Sequence, residues 1–207
     1  SSFQKSTILT VLDPESGEAV TRVAEIPALP ISFERNSDLS ALGWDALDEG
    51  LSLDEIRRRY RALVEKPRMD PIFTLLVVGL ANASFCRLFG GDWTAVGVVF
   101  TATLVGFAVK QRMQARGVNH FLIFICAAFV ASLCASAALC FDCAAEVALA
   151  TSPLFLVPGV PLINGVIDIV EGHVLIGVSR LVNAMLLIVC IAVGLSATLL
   201  MIKDSLL

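Results

Sequence analysis

The sequence predicts a membrane all-α protein with five transmembrane helices, the fourth broken at PGVP, after a small amino-terminal cytosolic α+β module. First, 57% of the 207 residues are hydrophobic, and the mean hydropathy is +0.82, which is typical of a membrane protein. Second, residues 1–70 hold nine Lys or Arg and thirteen Asp or Glu, whereas residues 71–207 hold six of each. We therefore expect two domains, 1–70 and 71–207.

The front module begins with two runs rich in Thr, Val, Ile and Leu on either side of the turn-forming residues DPESG. This pattern predicts a β-hairpin, followed by a third strand near residues 30–34. Ser52 and Glu55 then have the spacing of a capping box, and apolar residues recur behind them at helical spacing. We expect a helix from about 53 to 65 that ends before Pro67.

Five apolar segments of the back module are long enough to cross a bilayer as helices. Their predicted bounds are about 71–89, 93–109, 121–141, 147–169 and 181–202. Lys and Arg favour cytoplasmic loops, so the loop with Lys110, Arg112 and Arg116 is predicted to face the cytoplasm. The loops with Asp92 and Asp142 then face the outside, and the front module lies in the cytoplasm. The basic cluster before the first segment is consistent with this orientation, although it could also be a regulatory lipid or ligand site.

Composition also narrows the classes of function. A net charge of -4 leaves no broad basic surface for a phosphate backbone, so we expect no nucleic-acid partner. All six cysteines lie in the apolar half, and only Cys140 and Cys143 have a suggestive spacing. Without a second pair or a nearby His, packing is their expected role and a redox pair is the alternative. Because no P-loop sequence of the GxxxxGK type occurs, we expect that the chain does not itself supply ATP hydrolysis, and we expect no cofactor.

The fourth segment is interrupted by PGVP, with polar residues on its carboxyl side. Pro158 and Pro161 remove two backbone donors and disfavour helix in the residue before each, so the helix should open there. If helix resumes near Leu162, Asn164 and Asp168 lie on one face. An ionisable residue at the bilayer centre costs about 2.5–3.5 kcal/mol, so Asp168 needs a partner or a task such as proton carriage.

Glu171, His173 and Arg180 follow in the connection to the fifth segment. The residues Asp168, Glu171 and His173 could form a polar site or simply lie in the headgroup region at a helix end. Arg180 could anchor the helix at the cytoplasmic surface or bind a carboxylate with its planar fork of donors. A zinc site lacks a recognisable ligand spacing here, so we expect no metal.

The stretch VPGVPLINGVIDIVEGHVLIGVSRL resembles the signature of the threonine/serine exporter family. The matching residues, in order, are Pro158, Gly159, Pro161, Asn164, Asp168, Gly172, His173, Gly177 and Arg180. The hairpin with TRV and the helix that begins GLSLDEI resemble the family's cytosolic portion, so the resemblance covers most of the chain. It implies export of small amino acids, or of dicarboxylates such as succinate in two-component relatives, across a bacterial inner membrane. Since fused members carry ten helices, five helices resemble the larger subunit of a split exporter with a smaller membrane partner.

The leading hypothesis is therefore a proton-coupled secondary exporter, not an enzyme, that assembles as a hetero-oligomer or homo-oligomer in the lipid bilayer. The residues expected to bind substrate are Pro158, Gly159, Pro161, Asn164 and Arg180, and those expected to couple protons are Asp168, Glu171 and His173. One alternative is a non-transporting scaffold or regulatory subunit. Another is an intramembrane hydrolase that uses Asp168 and His173, which would converge only if the chain bends near Gly172.

Overall fold

The computed structural model describes residues 2–3, 6–12, 19–25, 33–65, 69–141 and 143–206. The chain divides into two compact units, Ser1–Met69 and Asp70–Leu207. The elements of the first unit are β1 (Ser2–Phe3), β2 (Ser6–Leu12), β3 (Ala19–Glu25), α1 (Phe33–Asp48) and α2 (Leu53–Glu65). Those of the second are α3 (Pro71–Leu88), α4 (Trp93–Ala115), α5 (His120–Ala135), α6 (Ala145–Thr151), α7 (Gly159–Val170) and α8 (Val174–Leu206).

The small sheet contains the predicted hairpin. Strands β2 and β3 pair antiparallel with Ser6 opposite Glu25 and Leu12 opposite Ala19, and β1 adds to the other side of β2. The strands of the hairpin are therefore confirmed, whereas the DPESG turn lies outside the described residues. The predicted third strand is wrong at residues 33–34, where α1 begins, and residues 30–32 lie outside the described part.

Helix α1 was not predicted, because its Ser, Asp and Gly residues have the composition of a turn region. It packs on α2, and its Leu42 is buried. Arg59 of α2 reaches across to Asp45 at 3.3 Å and to Glu49 at 3.7 Å. Tertiary contacts thus stabilise a helix whose own sequence favours it only weakly.

Helix α2 has the predicted bounds and begins at the predicted cap, where the backbone N–H of Glu55 donates to Ser52 Oγ at 3.3 Å. The carboxylate of Glu55 accepts from Arg58 at 2.8 Å and from Arg59 Nε at 2.9 Å. These two hydrogen bonds, first that of Arg58 and then that of Arg59, lower the pKa of Glu55. The predicted stop at Pro67 lies outside the described residues.

Among its described residues, the second unit contains four helices that are long and apolar enough to cross a membrane. They are α3, α4, α5 with its 3-10 extension to Cys140, and α8. The pair α6 and α7 is bent by 62° and adds a fifth crossing if it is one broken span rather than a re-entrant loop. The first three helices start at polar side-chain caps. Asp70, Asp92 and Asn119 accept from backbone N–H groups in the first turn of α3, α4 and α5.

Two helices extend further than predicted. Helix α4 continues past residue 109 to Ala115, and α8 begins at Val174 rather than at 181. Hydropathy marks where apolar residues stop, but long basic side chains such as Arg112 continue a helix into the headgroup region. At the start of α8 the charge of Arg180 is balanced by Asp168, so it lies inside the helix and not in the connection.

Small residues let the helices of the second unit approach closely. A Cβ on Gly194 of α8 would lie 2.5 Å from the carbonyl oxygen of Ile125 of α5, and one on Gly106 of α4 would lie 2.8 Å from Ala131 of α5. Helices α4, α5 and α8 therefore form the packed centre of this unit. Small residues commonly allow such close approach at membrane helix interfaces.

Candidate functional site

The break in the fourth apolar segment lies just before the predicted position. Helix α6 ends at Thr151, a 3-10 turn covers Leu154–Leu156, and α7 begins at Gly159. PGVP was predicted to form the opening itself, but only Pro158 lies outside a helix. Pro161 is the third residue of α7, where a backbone N–H would have no partner in the helix and its loss costs little. The missing donors at Pro153 and Pro158 therefore mark the break.

A buried polar cluster holds the carboxyl end of α6. Asn82 of α3 is 1% exposed, and its Nδ2 donates to Thr103 Oγ1 of α4 at 2.7 Å. The same amide nitrogen lies 3.2 Å from the carbonyl oxygens of Thr151 and Ser152. These two carbonyls stand where the helix ends, so they need a donor from elsewhere. Asn82 thus ties the break to α3 and α4.

The amide of Asn82 has a further property, because its Oδ1 is buried without a hydrogen-bond partner within the described structure. Turning the amide over would set Oδ1 against the carbonyl oxygens of Thr151 and Ser152, which are acceptors themselves. The nitrogen must therefore face the break. An acceptor left unpaired in an interior without water costs about 1–3 kcal/mol. The amide of Asn82 thus stabilises the break through its nitrogen, while its unpaired oxygen destabilises the fold.

Sequence reasoning did not single out Asn82, Thr103, Thr151 or Ser152. It considered ionisable residues and prolines, whereas this cluster consists of neutral polar groups on α3, α4 and α6. One signal was available, since an Asn in the middle of a transmembrane segment needs a partner within the protein. The identity of that partner follows only from the fold.

Helices α7 and α8 form a tight hairpin after the break. They turn at Gly172, whose φ of +87° is a conformation that residues with side chains rarely adopt. A Cβ on Gly177 would lie 2.6 Å from the carbonyl oxygen of Gly165 and 3.0 Å from the backbone nitrogen of Ile169. The two glycines thus let the backbones cross nearly in contact.

Two of the predicted site residues meet in this hairpin. Arg180 Nε lies 3.3 Å from Asp168 Oδ2, and the side chains are 40% and 19% exposed. Oδ2 is nevertheless buried without a hydrogen bond, so the contact is an ion pair rather than an aligned N–H···O bond. The carboxylate of Asp168 therefore keeps capacity to accept a hydrogen bond from a further donor.

The other predicted residues are more dispersed. Glu171 and His173 are exposed at the turn between α7 and α8, and the backbone N–H of His173 donates to the carbonyl oxygen of Asp168 at 2.8 Å. Asn164 is half-buried on α7, and Pro158 is buried at its start. The roles assigned to these residues stay predictions, and within the described residues the side chains of Asp168 and Arg180 are the two predicted site side chains that form an ion pair.

Possible metal ligands and the thiols of Cys140 and Cys143 are the remaining groups that the sequence raised. No group of three or more His, Cys, Asp or Glu residues there could hold a metal ion. Cys140 is an exposed cysteine, and the thiol of Cys143 donates to the carbonyl oxygen of Ala138 at 3.3 Å. Such a hydrogen bond is typical of a packed cysteine.

Comparison with known proteins agrees with the resemblance in the sequence. The family model described as "Putative threonine/serine exporter" matches residues 2–202. The chain is 34% identical over 148 residues to the "Probable succinate transporter subunit YjjP" of Klebsiella aerogenes, which covers 70% of this chain and 57% of that protein. It is 35% identical over 122 residues to the protein of the same name from Escherichia coli K12, which covers 58% of this chain and 48% of that protein. The chain thus spans about half the length of the curated relatives it matches, and no solved structure matches it.

Proposed function

The chain belongs to the threonine/serine exporter family, and from this membership we propose that it is a subunit of a proton-coupled secondary exporter. Its substrate is a small carboxylate-bearing solute, either an amino acid such as threonine or serine or a dicarboxylate such as succinate. The family and relatives carry the names of transporters rather than enzymes, and the apolar helices are those of a multi-pass membrane protein. In this proposal α6 and α7 form one broken span in a bacterial inner membrane, with the amino-terminal unit in the cytoplasm.

The observation that carries the proposal is the ion pair between Asp168 and Arg180 in the hairpin that follows the break. A guanidinium binds either the carboxylate of Asp168 or that of a substrate, so the two compete for Arg180. A proton on Asp168 removes its charge and leaves Arg180 open to the substrate. By reciprocity, substrate bound at Arg180 favours the protonation of Asp168. This exchange couples solute movement to proton movement.

The remaining residues are proposed to serve this exchange. Pro158 in the irregular backbone, with Gly159 and Pro161 in the first turn of α7, lines the substrate path, and Asn164 supplies a polar contact one turn from Asp168. Glu171 and His173, exposed at the turn, pass protons between Asp168 and water.

A smaller membrane subunit is proposed to complete the exporter. The word "subunit" in the names of both relatives supports such an assembly. One face of α7, with Ile163, Val166 and Val170, is exposed and apolar, so it is suited to contact with lipid or with another membrane helix. In transporters built from halves, the substrate site lies between them.

The test is Asp168→Asn in the complete exporter, reconstituted with its membrane partner in liposomes. Flux of labelled succinate, serine and threonine is measured together with the accompanying pH change. The variant should lose proton movement, because an amide cannot take up the proton. Asp92→Asn is the matched control, since an amide can still cap α4.

Normal flux and normal proton movement in a folded Asp168→Asn exporter would show that Asp168 does not couple protons. The scaffold alternative predicts something different. Under that alternative, variants of both Asp168 and Arg180 leave transport by the partner subunit unchanged.

A further inference from the structure

One face of α4 lies beside the break and extends from Thr103 towards the carboxyl end of that helix. Thr103 contacts Asn82 at 2.7 Å, and the ring of Phe107 meets that of Phe155 edge to face with 6.1 Å between centroids. Phe155 belongs to the 3-10 turn inside the break. Lys110 follows Phe107 on the same face, because positions i, i+4 and i+7 of a helix lie above one another. It is therefore only about 5 Å along the helix axis from the residue that touches the break.

Lys110 directs its charge at aromatic rings. Its Nζ lies 5.5 Å from the ring centroid of Phe107 and 5.1 Å from that of Phe124, and Phe124 is 4% exposed in the packed centre. A ring face attracts a cation without neutralising it. The side chain thus turns towards the interior, whereas Arg112, two residues on, is exposed.

The ammonium of Lys110 has no carboxylate within 4.0 Å among the residues that the structure describes, and in this it differs from Arg180 and Arg59. Arg180 is already paired with Asp168, so its charge is available to a substrate only after that pair opens. A cation beside apolar rings interacts strongly with an arriving anion, because little water screens the two charges. Lys110 therefore has the features of an anion-binding residue.

We propose that Lys110 binds a carboxylate of the exported solute on the approach to the break, before the solute reaches Arg180. This inference rests on the proposed transport function and adds a first binding position to it. An ammonium has three donors, and the two rings hold its position without using them all. The rings of Phe107 and Phe155 then continue from Lys110 to the irregular backbone.

The experiment compares Lys110→Met with Arg112→Met in the reconstituted exporter, with succinate as substrate. Lys110→Met removes the charge and keeps an unbranched apolar chain over the rings, so KM should rise about tenfold or more while kcat changes less. Arg112→Met removes a positive charge from the same end of α4 and should leave KM within about twofold. Lys110→Arg should recover part of the loss, since it restores the cation.

A second measurement does not depend on transport. The purified full-length chain is treated with an amine-acylating reagent, and acylation of Lys110 is followed by mass spectrometry. Succinate should protect Lys110, whereas succinamide, which is neutral and of similar size, should not.

The two readouts separate the inference from the function on which it rests. An exporter that moves no carboxylate overturns the proposed function, while protection of Lys110 in the same protein still supports a carboxylate site there. Unchanged KM in Lys110→Met overturns the role of Lys110, even if transport itself is normal. If Lys110→Met does not fold, absence of protection by succinate in the unaltered chain overturns it.

Discussion

The two halves of the broken segment are held in opposite ways. Helix α6 contacts α3, α4 and α5, with Ala148 and Leu149 buried among them. Helix α7 packs mainly on α8, and Gly165 is its one fully buried residue. The first half is thus part of the packed centre, while the position of the second half follows that of α8.

The polar contacts of the two halves differ in the same sense. A neutral amide, that of Asn82, fixes the end of α6 by hydrogen bonds to backbone carbonyls. A charged pair, Asp168 with Arg180, links α7 to α8. The comparison shows that the charged pair, and with it the proposed proton site, lies on the half that packs mainly on one other helix.

The largest effect is expected from Asn82→Leu, which attacks the fixed half. It leaves the carbonyls of Thr151 and Ser152 without a donor in the interior, so the free energy of unfolding should fall by about 3 kcal/mol. Detergent-titrated unfolding followed by circular dichroism measures this. The control is Ser84→Ala, on the exposed side of the same helix, where the hydroxyl bonds only to the carbonyl oxygen of Leu80. Equal stability of the two variants would show that Asn82 does not hold α6.

A smaller effect is expected from Gly177→Ala, which separates α7 from α8. The new Cβ would lie 2.6 Å from the carbonyl oxygen of Gly165, so α7 must shift away. Overpacking of this kind costs about 1–3 kcal/mol. Carbodiimide labelling of Asp168 should increase as the ion pair loosens. Gly159→Ala is the matched control, because a Cβ there meets nothing within 4 Å. Labelling that stays unchanged in Gly177→Ala would contradict the idea that α7 depends on this crossing.

The smallest effect is expected from Thr198→Val, which weakens the attachment of α8 to α5. It removes a buried hydrogen bond of 2.7 Å between the hydroxyls of Thr198 and Ser132. Such bonds in membrane helices contribute about 0.6 kcal/mol on average, so the unfolding free energy should fall by about that amount. Thr101→Val provides the comparison, since Thr101 is exposed and bonds only within its own helix. If the unfolding free energy fell as much as in Asn82→Leu, Thr198 would be a main attachment point of the α7–α8 hairpin.

Most of the fold could be predicted because hydropathy and helix caps are local properties. Long apolar runs predict the four helices that could cross a membrane. The side chain of Asp92 caps the first turn of α4, so the start of that helix is also visible in the sequence. Helix α1 could not be predicted in the same way, because contacts with Arg59 and other residues of α2 stabilise it. The start of α8 was misplaced because the partner of Arg180 was unknown.

The site was predictable only in part. Asp168 and Arg180 each stood out as ionisable residues in an apolar region, but their contact depends on the glycine crossing that brings α7 onto α8. Asn82 contacts Thr151 on α6, and Lys110 contacts Phe124 on α5. Because these partners belong to other helices, sequence spacing does not identify them. Local patterns thus identify polar residues that need a partner, and the tertiary fold supplies the partner.

The length of α8 has a consequence for the lipid around it. Its candidate membrane span, Val174–Ile202, contains 29 residues including Arg180 and is about 43 Å long at 1.5 Å per residue. The hydrocarbon core of a bilayer is only about 30 Å thick, so a helix of this length tilts or thickens the membrane locally. Because α7 rests on α8, the tilt also sets the angle at which Asp168 and Arg180 meet the membrane plane. We therefore expect the orientation of this pair to change with bilayer thickness, so acyl-chain length is a variable that tests the pair without any mutation.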